Sequence, residues 1–182
     1  MVRAALLAAL CCLALFAAAD TQARPRGSPY DYNQPKGGCG KFGWSLTREL
    51  AWFAKSDNPT VSTPATQDKL PDGALVLELE ADGEANLVMP PERRSRSGNG
   101  YGGAVSFAAV PRAGLYQITL SEDALLDVIQ NGKYLRKAAS HMRRDCPAIR
   151  RSVRVTLTAE PLVLQFGGVE MPTVTIAVAP VE

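Results

Sequence analysis

Histidine is almost missing from this chain: His141 is the one imidazole in 182 residues. Metal sites of the two-histidine, one-carboxylate kind cannot be assembled from it, and its neighbours Met142, Arg143 and Arg144 place positive charge where a second cation would have to sit. A packing or solvent-facing role is the expectation for His141. Nucleophile elbows of the G-x-S-x-G type are absent as well, which removes the best-marked route to a serine triad. The glycine-rich GNGYGG (98–103) has no P-loop lysine and no following helical pattern, so it reads as a turn. Carboxylates pair in sequence at Asp82 and Glu84 and at Glu122 and Asp123, yet no D-x-D-x-D-G series accompanies them and hairpin ends commonly carry such acids. We therefore expect no catalytic set, no metal and no cofactor.

Long apolar runs are scarce too. The longest, Ala4 to Ala18, has 15 residues, short of the ~20 needed to span a bilayer. It follows Arg3 and runs into Ala17-Ala18-Ala19, the pattern of a secretory signal peptide over residues 1–19 cleaved before Asp20, with Ala23 as a second candidate. The expected location is periplasmic or secreted, with no transmembrane anchor after processing. Neither Cys11 nor Cys12 follows the small residue that a lipoprotein cleavage site requires. Both leave with the signal, so Cys39 and Cys146 remain, 107 positions apart. A catalytic thiol and a metal site are the alternatives, but in an oxidising compartment a lone pair is expected to close as a disulfide.

Residues 20–38 are rich in proline, glycine and polar side chains and read as a flexible leader; residues 39–182 then read as a single domain. Ser45 is a candidate N-cap for one short helix over 46–55, where Leu46, Leu50 and Phe53 share a face. Trp44 and Trp52 are expected to pack that helix on the main body. Beyond residue 73 the apolar period changes to two. Leu75, Leu77 and Leu79 lead through Asp82-Gly83 into Ala85, Leu87 and Met89, read as a hairpin; Val105 and Phe107 follow, then Tyr116, Ile118 and Leu120. The run 125–130, the Asn131-Gly132 turn and 133–136 form the strongest hairpin signal. Alternation returns in Val153, Val155 and Leu157, in Leu162, Leu164 and Phe166, and in Val174, Ile176 and Val178. These eight or nine strands predict an all-β, antiparallel sandwich of jelly-roll type, with a closed barrel as the second choice.

Net charge is only +2, falling to +1 once Arg3 is removed, but it is unevenly placed. From Lys133 to Arg154, eight basic residues face Asp145 alone, a balance of +7, whereas residues 57–84 balance at −6. Either the two segments neutralise each other or the basic one presents a contact surface. Arg136, Lys137, Arg143, Arg144, Arg150 and Arg151 are the candidate contacts for an acidic glycan, a lipid headgroup or an acidic protein surface. Alternation along a strand puts Arg150 and Arg154 on one face and Arg151 on the other. Nucleic acid is not an expected partner of an exported chain so near neutrality.

The stretches CGKFGWSLTREL, GLYQITLSEDALLDVIQNGKYL, CPAIRRSVRVTL and LVLQFGG resemble a family of small exported bacterial proteins of uncharacterised function. An aromatic is common in that family where this chain has Leu125. Members are sometimes labelled homogentisate 1,2-dioxygenase, which would imply a non-haem-iron enzyme; the single histidine argues against it. More loosely, GLYQITL and LLDVIQNGKYL look like β-sandwich accessory domains of secreted enzymes. The function expected from the residues is an exported, non-enzymatic binding or accessory protein, and the competing class is an extracytoplasmic enzyme.

Overall fold

The computed structural model describes residues 38–95 and 98–181; the expected signal peptide, and the leader apart from Gly38, lie outside the described residues. A 3-10 turn, Cys39–Lys41, leads to α1, Thr47–Phe53, the one α-helix among the described residues. Twelve strands follow: β1 Thr60–Ser62, β2 Ala65–Gln67, β3 Ala74–Glu78, β4 Glu80–Ala81, β5 Tyr101–Phe107 and β6 Gly114–Leu120, then β7 Leu125–Gln130, β8 Lys133–Tyr134, β9 Lys137–Met142, β10 Arg151–Leu157, β11 Leu162–Val169 and β12 Thr173–Pro180.

They form two sheets. Sheet A has the order β1-β3-β12-β6-β10-β9, and sheet B the order β2-β5-β11-β7-β8 with β4 added alongside β5. Apart from β9 and β10, which are neighbours in sheet A, the long strands alternate between sheets, β12 inserts between β3 and β6, and β11 inserts between β5 and β7, which is the winding of a jelly roll. Inward-facing residues of both sheets make one core: Leu75 and Leu77, Val105 and Phe107, Tyr116, Ile118 and Leu120, Leu126 and Val128, and the apolar triplets of β10, β11 and β12. These are the residues that period-two alternation marks, because every second side chain on a strand points to the same face. Asn131 and Gly132 both hold positive φ (52° and 66°), the conformation a two-residue hairpin turn demands, and they join β7 to β8.

Four parts of the sequence reading change. The strand count among the described residues is twelve rather than eight or nine, the additions being β1, β2, β4 and β9. Not all pairing is antiparallel: β1 runs parallel to β3 and β2 parallel to β5. These two three-residue strands let the chain cross from the edge of sheet A to the edge of sheet B at Thr63, whose amide and hydroxyl both donate to Glu78 O at 2.9 Å. Gly103 permits the crossing, since a Cβ there would lie 2.2 Å from Thr63 Oγ1.

The third change concerns residues 85–89, which form no strand. Turn bonds from Glu84 and Ala85 to Ala81 O and from Leu87 to Ala85 O carry the chain onward, and Pro90 and Pro91 remove two ladder donors. The segment instead lies over the outer face of sheet B. There Met89 N donates to Gln165 Oε1 (3.1 Å), Glu92 N to Asp127 Oδ2 (3.2 Å) and the Tyr134 hydroxyl to Pro90 O. The fourth is the helix, which starts two residues after Ser45; its N-cap is Leu46, and Ser45 Oγ accepts only a weak bond from Thr47 N at 3.3 Å.

The outer face of sheet A is covered as well. Cys39 and Cys146 are joined, and around them Phe42, Leu46 and Ile149 pack with Trp44, Leu50 and Phe53 into a second apolar cluster. Beneath it the sheet offers polar side chains: Trp44 Nε1 donates to Ser152 Oγ (3.0 Å), and Ser152 meets Thr119 Oγ1 at 3.1 Å. Trp44 thus anchors this layer to the sheet, while Trp52 lies under the Arg48 guanidinium, 5.2 Å from its ring centre.

A helix of seven residues has too few turns to persist alone, so this layer depends on its packing and its crosslink. Replacing both cysteines (Cys39→Ser with Cys146→Ser) removes a constraint worth about 5 kcal/mol in the chain-entropy account. We expect Trp44 fluorescence to move to longer wavelength at a lower denaturant concentration than the one that removes the far-ultraviolet β signal. One coincident transition would show instead that the layer and the sandwich unfold as a unit.

Candidate functional site

The basic residues reach one edge of the molecule because of the hairpin that precedes them. After β8 the chain crosses between sheets at Leu135, whose amide donates to Val128 O at 2.7 Å, and β9 then becomes the terminal strand of sheet A. Arg136 is exposed in this crossing and Lys137 opens β9 half-buried. Arg143 and Arg144 leave β9 into the loop fixed by Cys146; Arg150 ends that loop and Arg151 opens β10, opposite Met142. All six lie on or next to β9 and the loop after it. Of the two arginines expected to share one strand face, Arg154 lies on β10, while Arg150 stands just before the strand.

Local partners neutralise some of this charge. Arg143 grips Asp145 with two bonds, Nε to Oδ1 at 3.0 Å and Nη2 to Oδ2 at 2.9 Å. That pairing raises the arginine pKa and lowers the Asp145 carboxyl, the hydrogen bond being the main cause in each. Arg151 holds Asp123 Oδ1 through Nε (2.9 Å) and Nη2 (2.5 Å). Arg150 donates to Arg144 O, and its charge also acts on Glu122. Burial pushes the Glu122 carboxyl up; Arg150 opposes this, and Glu170 and Asp123 reinforce it. Burial lowers the Lys137 ammonium pKa, with Asp127 and Glu92 acting against the shift and Arg93 and Arg151 adding to it.

Four acids of the 57–84 segment are engaged elsewhere. Asp72 pairs with Lys69 at 3.0 Å, Glu78 accepts from Ser62 Oγ at 2.5 Å, Glu80 accepts from Asn86, and Asp82 Oδ1 accepts from Gly168 N at 3.1 Å. No ion pair between residues 57–84 and the basic cluster occurs among the described residues. Asp123 and Asp145 offset two of the six cations; Arg136 and Lys137 form no ion pair among the described residues. Arg93, in the segment before β5, acts on the same lysine.

Sequence reasoning missed a polar depression on the outer face of sheet A. About 400 Å³ in volume, it is lined by Ser45, Thr47, Arg48, Glu49, Gln117, Arg154 and Val181. Arg154 lies 4.5 Å from the Trp44 ring centre and donates from Nε and Nη2 to Gln117 Oε1 at 3.3 and 3.4 Å. Glu49, only 2% exposed, accepts from Arg48 Nη2 at 2.8 Å. Four separate stretches of chain supply these residues, so no local pattern announces them. His141 meets Trp44 edge-on, ring centres 4.7 Å apart, and a Cβ at Gly43 would stand 2.5 Å from its Nε2. It packs the N-terminal layer against β9. No three His, Cys, Asp or Glu side chains converge as a metal-holding group among the described residues. Compared with protein-family profiles, curated proteins and solved structures, the chain matches none.

The two shifted carboxyls give the edge a readable pH response. Asp145, with its pKa lowered, contributes stability above its unfolded value that disappears as pH falls through the folded one; Glu122, with its pKa raised, opposes folding near neutrality and ceases to do so as pH falls through its own folded value. In a carboxyl-resolved titration we expect Glu122 to protonate above the usual glutamate range and Asp145 below the usual aspartate range. In Glu122→Gln, the rise in stability just above the ordinary glutamate pKa should vanish. Overlapping midpoints for the two groups would contradict both assignments.

Proposed function

We propose that this chain is an exported, non-enzymatic β-sandwich that binds an anionic component of the periplasm or cell exterior through the basic edge around β9. The observation that carries the reading is that Arg136 and Lys137 form no ion pair among the described residues, while Asp72, Glu78, Glu80 and Asp82 of the acidic segment have other contacts. Export is supported by the signal-like residues 1–19 and is compatible with the Cys39–Cys146 bond. No helix among the described residues is long and apolar enough to cross a membrane. The anion is an acidic glycan, a lipid headgroup or an acidic protein surface, all of which present charge to guanidinium and ammonium groups.

Binding of this kind weakens with salt, because exposed charges farther apart than a Debye length of roughly 8 Å are screened at physiological ionic strength. We expect retention on heparin-like glycan or on phosphatidylglycerol vesicles at low salt and its loss as salt rises. Arg136→Ser and Lys137→Ser should each weaken retention by about fivefold, near 1 kcal/mol per cation, with the melting temperature unchanged. Arg143→Ser should cost less affinity, since Asp145 already holds that guanidinium. Salt-independent retention, or stoichiometric iron in the purified protein with oxygen uptake on homogentisate, would overturn the reading.

A further inference from the structure

Strand edges are where a sheet can be extended, and natural sandwiches keep them short, charged or covered. Three of the four strands that end the two sheets are short: β1 and β2 have three residues each and β8 has two. The fourth, β9, has six, and among the described residues it pairs with β10 alone. Its middle is built of small side chains, Ala138, Ala139 and Ser140, which leave the backbone open to approach. Both ends carry cations, Arg136 and Lys137 before and Arg143 and Arg144 after.

We infer that β9 takes up an extended acidic segment of a partner protein as a further strand of sheet A. The inference rests on the basic edge being the binding surface, and it names the partner and the mode. Addition of a second copy is opposed by charge: antiparallel self-pairing centred between Ala139 and Ser140 would set Arg136 against Arg143, and parallel in-register pairing would set every cation beside its equivalent. An acidic strand meets the reverse situation. Its main chain gains the ladder bonds that β9 offers, its carboxylates face Arg136 and Lys137 at one end and Arg144 at the other, and the three small residues place no bulk in its way.

The test uses the exported protein and a ten-residue peptide alternating Glu with Thr and Val, beside a fully N-methylated peptide of the same charge that cannot join a ladder. We expect the unmethylated peptide to bind at low salt, to slow hydrogen exchange at amides within 137–142, and to bind at least about tenfold tighter than its methylated counterpart, the equivalent of 1.4 kcal/mol. Arg136→Ser with Lys137→Ser should weaken it by a similar factor. Equal binding of the two peptides, or binding without slowed exchange in β9, would overturn strand addition and leave the basic edge standing. So would failure of both peptides while vesicles or glycan are still retained. Exchange in β9 that is already slow in the free protein would mean that the edge is covered by residues 20–37 or by a second copy, and would equally overturn it. Failure with every anionic probe would overturn the proposed function as well.

Discussion

Cys146 is fully buried in the loop between β9 and β10, and its bond to Cys39 closes a loop of 107 residues across the sequence. Two things that could not hold themselves in place are held by it. One is the N-terminal layer, whose seven-residue helix has an apolar face but too few turns to be stable alone. The other is the stretch 143–150, where Arg143, Arg144 and Arg150 would otherwise sit on a chain with little regular structure. A single covalent contact therefore ties the outer cover of sheet A to the loop that carries part of the basic edge. Coupling of this kind means that the position of the charges is set from the opposite end of the sequence.

Both sheets bury polar groups on the faces turned away from the core, and both solve the resulting hydrogen-bond problem with chain that is not strand. On sheet A, Ser152 and Thr119 bond each other and Trp44 donates to the pair. On sheet B, Asp127 and Gln165 receive backbone amides from the segment around Met89 and Glu92. Buried acceptors left without donors would cost ~1–3 kcal/mol each, so each covering segment is fixed in register by the groups beneath it. Gln130 does the same for the turn between β10 and β11, its amide nitrogen donating to Thr158 O and Glu160 O while its oxygen accepts from Thr158 N.

The jelly roll was legible wherever a strand lies between two neighbours with one face in the core, since burial then imposes alternation: β6, β10, β11 and β12 read directly. The Asn131-Gly132 turn was legible because left-handed backbone demands those residues. β9 escaped notice because KAASHM sits at an edge, where no buried face selects for apolar residues. β1 and β2 escaped because three residues in parallel pairing carry no periodicity of their own. Ala85, Leu87 and Met89 misled for the converse reason: they alternate as a strand would, yet turn bonds and two prolines turn them into a cover for sheet B. At the site, the cations were plain in sequence, but their partners Asp123 and Asp145 were not, because proximity to them is a property of strand order and loop closure. The Arg48, Gln117 and Arg154 depression had no sequence signal at all.

The winding itself constrains when this molecule can take shape. β12, residues 173–180, lies between β3 and β6 and is hydrogen-bonded to both, so those two strands have no contact in sheet A until it has been made. A nascent chain that stops short of residue 173 carries the inner faces of β3 and β6 with a strand-wide gap between them. Such a chain cannot complete a core, however long it waits at the ribosome. The core of this sandwich therefore closes only once β12 is available to fill the gap between β3 and β6.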